Sequence, residues 1–363
     1  MMKIGIIGAG LAGLSCAITL EKHGYDVDVF ERRGMVGDRF VIAEAMFSMF
    51  QYPFDDGVKL LSETYDIHLK PSSNIQKLFC YSKNERCEME GHLGFTNMRG
   101  KHPEAYEKQL ADQFKGTIHY NYDASYDQIA KQYTHVVLAT GDPSDSMKLQ
   151  PFDTAFRASF KGAVITGSFD ESEAHAFFDN DFAPKGMAYL LPHSDHEASL
   201  VLVYPQYPEN EGLDKEVLWK KCVEECSKKL DQDFEILNEY EVKDYRIGKT
   251  ESSRIGNTFF IGNCWGAITP VFGFGQFESM LTGIYAAHDI IGIGNYEKLV
   301  QPLYQGYHDS LTLRRRVEGL DNKQLDRLIK MLQNKYVEEL ITNKNINIFK
   351  WSAKILHPFS RKA

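Results

Sequence analysis

The opening segment does most to limit what this chain can fold into. Lys3–Ile7 is a short apolar stretch, and Gly8-Ala9-Gly10-Leu11-Ala12-Gly13 follows it at once. The run LSCAITLEKHG then has helical spacing and stops at Gly24, a residue suited to end a helix. Asp26–Phe30 is a second apolar stretch, closed by Glu31. A strand, glycine loop, helix, strand and acid within about 30 residues predict a dinucleotide-binding unit of a parallel sheet. In such a unit Gly8 allows the tight turn, Gly10 lets the backbone approach a pyrophosphate, and Gly13 lets helix pack on strand. The helix start at Leu11 and Ala12 offers free N–H groups to phosphates. Glu31 is placed to accept from ribose hydroxyls. A glycine-rich turn without a ligand is the alternative, and the flanking strands and acid argue against it.

Two later segments extend this pattern. Thr134–Thr140 (THVVLAT) reads as a buried strand closed by Gly141. Thr258–Asn263 (TFFIGN) reads as another; it leads through CWGAITPVFGFG into the helical stretch QFESMLTGIYAAHDII. Together the three pieces resemble the FAD-binding fold of flavoprotein oxidoreductases. That resemblance implies that the first loop holds the pyrophosphate, the middle strand passes beside it, and the last strand and helix hold the ribityl chain and the flavin pyrimidine.

GNCWGAITPVFGFGQFESMLTG is similar to a segment of the geranylgeranyl reductase family, with Gly262, Gly266, Pro270, Gly273, Gly275 and Gly283 on family positions. The helical pattern from Tyr296 to Leu332, the stretch Gly186–Pro192 (GMAYLLP) and Arg99 match the same family. The resemblance implies non-covalent FAD, contacted by Gly8, Gly10, Leu11, Ala12, Gly13, Glu31, Arg32, Arg39, Ala43, Arg99, Tyr122, Ala139, Thr140, Gly141, Gly262, Asn263, Gly273, Gly275 and Gln276. Three departures stand out. Asn263 replaces the family's usual Asp, Ile42 stands where a Cys is frequent, and Tyr189 stands where Trp is common. The first removes a charge from the ribityl contact, and the second removes a thiol from the flavin's neighbourhood.

The implied fold class is α/β. Residues 1–40, 100–145 and 245–295 form an FAD-binding Rossmann-like domain. Residues 41–99 and 146–244 form an inserted β-rich substrate domain, in which KGAVITGSFD, GMAYLLPH and ASLVLVYP read as successive strands. Residues 296–363 form a helical C-terminal region. The implied activity is reduction of C=C bonds in an isoprenoid or other small apolar substrate by hydride from reduced flavin N5. The electron donor is NAD(P)H or a redox protein, and no second strand–glycine loop–helix–acid unit marks a dedicated nicotinamide domain. A monooxygenase or hydroxylase is the alternative enzyme, although Ala139-Thr140-Gly141-Asp142-Pro143 lacks the stretch such enzymes carry there. The WxWxIP motif of flavin halogenases is absent. A non-catalytic flavin-binding protein is the alternative of another class. For catalysis the candidates are Tyr189, against a reading as core, and Glu44, against a solvated one. His193 and His196 fit a turn better than a proton donor or a metal pair. Trp265 and Phe272 are either pocket walls or packing beneath the loop.

Charge and cysteines narrow the partners. With 41 Lys+Arg against 50 Asp+Glu the chain carries −9, which argues against a nucleic-acid footprint. Six cysteines without a CxxC pair give no zinc pattern and read as reduced cytoplasmic thiols. No stretch of 18 apolar residues exists to span a bilayer. From Ile341 to Ala363 there are five basic residues and no acids, with Ile346, Ile348, Phe349, Trp351, Ile355, Leu356 and Phe359 between Lys344, Lys350, Lys354, Arg361 and Lys362. This tail is expected either to dock on the inner face of an anionic membrane or to pack on the body.

Overall fold

The structure is a computed structural model that describes residues 2–51, 53–343 and 346–355, with backbone only from 352 to 355. It opens with β1 (Ile4–Ile7), α1 (Leu11–Lys22) and β2 (Val27–Phe30), then β3 (Ile42–Phe47) and α2 (Gly57–Tyr65). A long hairpin follows, β4 (Ser73–Ser82) and β5 (Arg86–Arg99), then α3 (Tyr106–Gln113), β6 (Thr117–His119), α4 (Tyr126–Gln132), β7 (His135–Leu138) and α5 (Ser146–Leu149). Four strands come next: β8 (Phe152–Thr166), β9 (Glu173–Phe178), β10 (Met187–Pro192) and β11 (Glu197–Pro205). After α6 (Lys215–Leu230) the chain runs through β12 (Glu235–Thr250), β13 (Arg254–Ile255) and β14 (Thr258–Phe260) to α7 (Gln276–Ile290). It continues as α8 (Tyr296–Leu299), α9 (Gln301–Val317), α10 (Asn322–Leu332), α11 (Lys335–Thr342) and α12 (Ile348–Ile355).

Two sheets organise these elements. The smaller has the order β13-β14-β7-β1-β2-β6 and is parallel except at its β13–β14 edge. Its strands are short and nearly continuous in Ile, Val, Leu and Phe, as a sheet covered on both faces requires. α1 is buried along most of its length and packs between this sheet and α7. The larger sheet has the order β12-β8-β11-β10-β9-β4-β5-β3, antiparallel except for β4–β9. It curls, so that β3 reaches β11 across the sheet, where Ala43 N donates to Ser199 Oγ at 2.9 Å. α6 covers one face of this sheet through Leu218, Trp219, Cys222 and Cys226.

The parallel sheet with its inserted, β-rich second sheet is the expected α/β architecture. β12 runs through residue 245, so the expected boundary there falls inside a strand, where paired backbone leaves no place for a linker. In the C-terminal region Ile348 and Phe349 are buried against Val271 and Leu313. These two side chains are therefore turned into the body and not toward a membrane surface, because packing satisfies them, whereas Trp351 is exposed. Lys344, Leu356, Phe359, Arg361 and Lys362, and the side chains of Lys354 and Ile355, lie outside what is described. Among the described residues no helix is long and apolar enough to cross a membrane, and no cluster of three or more His, Cys, Asp or Glu is arranged to hold a metal.

Candidate functional site

The site begins where β1 turns into α1. Gly8 has φ +111°, and a Cβ there would sit 2.6 Å from the Ala139 carbonyl oxygen, so only glycine can make this turn. A Cβ on Gly13 would lie 2.0 Å from Gly8 O, which presses the helix onto the turn. Gly10 is different, because a Cβ added there meets nothing within 4 Å. It faces open space at the start of α1, whose first turn has no side-chain cap. α7 converges on the same place. A Cβ on Gly283 would lie 2.2 Å from Ala12 O, and α7 too begins at Gly275 without a side-chain cap. Two uncapped helix starts, each with free N–H groups and positive potential, therefore border one space.

That space is a cavity of about 1020 Å³. It is bounded by Gly8, Gly10, Leu11, Ala12, Glu31, Arg32, Arg39, Arg99, Tyr122, Ala139, Thr140, Gly141, Gly262, Asn263, Gly273, Gly275 and Gln276. Of the residues named from sequence as cofactor contacts, Gly13 and Ala43 do not line it. Gly13 is spent on helix packing, and Ala43 is fully buried in the larger sheet while its neighbours Ile42 and Glu44 border the cavity. Glu31 accepts from Ala9 N at 3.1 Å and Arg33 N at 3.0 Å, which fixes its carboxylate at the mouth. Asn263 Nδ2 donates to the Tyr245 hydroxyl at 2.8 Å, a partner on β12 that no sequence signal marked. Gln276 Oε1 is buried at the start of α7 with no protein partner among the described residues. Open space at Gly10, two uncapped helices and this orphaned acceptor fit a dinucleotide carrying a polar ring edge.

A buried charge network stands beside this region. Arg99 donates through Nη1 to Glu44 Oε2 at 2.8 Å and through Nε to Glu107 Oε1 at 2.9 Å. Arg39 approaches Glu107 at 3.6 Å. Burial works against the charge on Arg99, but Glu107 and then Glu44 outweigh it and raise its pKa. Burial likewise works against the Glu107 anion, and Arg99 and then Arg39 reverse this, holding its carboxyl below the usual range. Glu44 is thus a cavity wall tied to Arg99. Glu107 was missed because a Glu in the first turn of a helix reads as solvated, yet it is 2% exposed. Tyr189 also borders the cavity, and burial, then Glu44, raises its phenol well above the ordinary value. His193 and His196 sit in the β10–β11 turn and do not line the cavity. Phe272 lines it, whereas Trp265 is buried outside it.

Beyond Tyr189 the cavity continues as an apolar arm. Met49, Phe50, Leu78, Cys80, Met89, Phe178, Leu191 and Phe274 form its walls. Its far end is closed by Leu313 and Val317 of α9, Leu328, Ile329, Met331 and Leu332 of α10, Val337 and Ile341 of α11, and Ile348 of α12. Polar clips hold this cover down. Asp326 accepts from Ser82 Oγ at 2.7 Å and from Asn84 N at 2.9 Å, and Gln333 Nε2 donates to Arg86 O at 2.8 Å.

Comparison with known proteins agrees with this geometry. Residues 6–71 match the NAD(P)-binding Rossmann-like domain family. A geranylgeranyl bacteriochlorophyll reductase-like protein from Thermoplasma acidophilum superposes with a TM-score of 0.74 at 13% identity, covering 99% of this chain and 97% of that one. A flavin-dependent halogenase superposes with a TM-score of 0.66 at 16% identity, covering 98% and 76%. In sequence, 56 residues are 41% identical to a 4,4'-diapolycopen-4-al dehydrogenase of Metabacillus indicus, which is 15% of this chain and 11% of that protein. A zeta-carotene desaturase of Solanum lycopersicum matches over 38 residues at 47% identity, 10% of this chain and 6% of that protein. The chain thus spans only a small part of these sequence relatives but nearly the whole of the reductase-like structure, and it has the fold that this structure shares with the flavin-dependent halogenase.

Proposed function

We propose that the protein is an FAD-dependent oxidoreductase that reduces a C=C bond of a long apolar substrate. The observation that carries this reading is the single cavity that joins a glycine-built dinucleotide cradle to an apolar arm. Bound FAD, once reduced, supplies hydride. The chain supplies binding and orientation. Backbone N–H groups at Gly10, Leu11 and Ala12 would hold the pyrophosphate, Glu31 the ribose, Gly262 and Asn263 the ribityl chain, and Gln276 with the start of α7 the polar ring edge. Ile42 borders the cavity at the position matched to a family Cys, so the chain offers no thiol there. The arm buries the substrate chain among Phe, Leu, Ile and Met side chains and excludes water. Tyr189, at the junction, stays protonated because burial opposes its anion, and its hydroxyl holds the proton that a reduced C=C bond requires. Glu44, fixed by Arg99, orients that wall.

The test starts from purified protein titrated with FAD, whose absorbance should shift on binding and whose flavin should be released by acid. The holoprotein is then reduced with dithionite under anaerobic conditions and mixed with geranylgeraniol. Flavin reoxidation together with a product heavier by two hydrogens per reduced bond supports the reading. Failure to bind FAD overturns it. Reoxidation only by dioxygen, with an oxygenated product, replaces it with the monooxygenase. Parallel mixing with NADPH and NADH identifies or excludes a nicotinamide donor.

A further inference from the structure

Two cysteines face one another across the β4–β5 hairpin. Cys80 and Cys87 are directly opposed in the antiparallel register, between the Phe79–Glu88 and Tyr81–Arg86 pairs. Residues opposed in this way project to the same face with Cα atoms about 4.5–5.5 Å apart. That spacing lies inside the roughly 4.4–6.8 Å that a disulfide bridges. Both thiols are free and buried. They share the face of Leu78 and Met89, and Cys80 with those two residues lines the apolar arm. Phe79 and Tyr81 project to the opposite core. The hairpin end is held still, since Ser82 N donates to Glu85 O and Asp326 clips Ser82 and Asn84. Cys222 and Cys226 also touch, but on one helix and away from both described cavities.

We propose that Cys80 and Cys87 are a peroxide-reactive dithiol that closes to a cross-strand disulfide in the wall of the apolar arm. The oxidant is a hydroperoxide, hydrogen peroxide in the simplest case. One sulfur attacks the O–O bond, takes one oxygen as a sulfenic acid and releases the other as water. The second sulfur displaces the sulfenic oxygen as a second water, and the S–S bond forms. Two electrons pass from the thiols to the peroxide, and both thiol protons end in water. The thiolate is the attacking form, and the neighbouring Cys80 thiol favours it at Cys87. A thiol reductant reverses the change. The inference does not depend on which cofactor fills the cradle.

The chain supplies a direct assay. Cleavage after Lys77, Lys83, Arg86 and Arg99 places the two cysteines on separate tryptic peptides, 78–83 and 87–99, which only a disulfide would join. Full-length protein is reduced, desalted, treated with hydrogen peroxide, alkylated and digested without reductant. The expected result is a joined 78–83/87–99 species, a fall from six to four titratable thiols, and recovery of both on adding dithiothreitol. Cys222 and Cys226 should remain alkylated thiols. Recovery of Cys80 and Cys87 as alkylated thiols, or as sulfinic and sulfonic acids without the joined species, overturns the proposal. In Cys87→Ser and Cys80→Ser proteins the joined species should vanish; if either variant does not fold, the wild-type digest alone decides.

Discussion

At the cradle end of the cavity, shape is set by backbone. Gly8 and Gly13 sit where any side chain would strike a carbonyl, while Gly10 sits where nothing does. At the far end, shape is set by side chains from four helices and a hairpin. The two ends also differ in polarity. The cradle has two helix starts, Glu31, and the Arg99 network, whereas the named walls of the arm are aliphatic, aromatic or sulfur-bearing and carry no charge. The contrast implies that one end is constrained to one kind of ligand and the other is free to change by substitution. A fold shared between a reductase-like protein and a halogenase is what such a division allows.

The largest break in this comparison comes from two glycines three residues apart. Gly13→Val should destabilise the protein by about 3 kcal/mol or more in urea unfolding, since the backbone cannot yield. Gly10→Ala should leave stability within about 1 kcal/mol but lower the FAD retained through dialysis. Equal FAD retention by Gly10→Ala and wild type would mean that the open space is not the pyrophosphate cradle.

Arg99→Leu comes next. It leaves Glu107 buried without its main partner, a loss of about 3–5 kcal/mol. The pH profile should change sign as well. In the wild type the Glu107 carboxyl lies below its ordinary value of 4.5, so its contribution is complete above that pH and is lost as pH falls through the folded value. In Arg99→Leu the only charge left to oppose burial is the more distant and more exposed Arg39, and the value rises. That protein should then regain stability as pH falls through the raised folded value toward 4.5, narrowing the gap to wild type. Denaturant midpoints measured from pH 7 to pH 4 check both signs, and a constant gap would separate Glu107 from Arg99.

The smallest effect belongs to the arm. Leu332→Trp should fill part of its far end and weaken binding of geranylgeraniol about tenfold, or about 1.4 kcal/mol, with FAD affinity unchanged. Loss of FAD affinity as well would show that the two ends are not independent.

The cradle was legible in the sequence because backbone constraints write themselves as glycines at fixed spacing. Gly8, Gly13 and the Gly262–Gly275 run are visible for that reason, and so is Glu31 at its strand end. The arm was not legible. Leu325, Leu328, Ile329 and Leu332 give an amphipathic helix, but helical spacing does not say what the apolar face covers. Buried polar residues were missed in the same way. No sequence signal marked Glu107 or Lys249 as buried. Yet Lys249 is buried, with Nζ 3.6 Å from the Trp265 ring centre and 4.1 Å from that of Tyr304. Burial pushes its ammonium down to about 6, and the aromatic faces oppose that shift. Nothing in the stretch GKTESS announces the cage.

The pairing of β7 with β14 has a consequence for how the protein comes into being. β7 ends at Leu138 and its neighbour starts at Thr258, and α1 waits still longer for α7. Every strand of the larger sheet is synthesised before β14 leaves the ribosome. The inserted sheet can therefore close first, while β7 remains an unpaired edge and the small-residue face of α1 stays uncovered. Such long-range pairing is slow to form, and exposed edges invite association during the delay. A ribosome stalled before Arg254 would carry a finished inserted sheet beside half a cradle, with the helices that close the arm still to come, a nascent state for chaperones to hold.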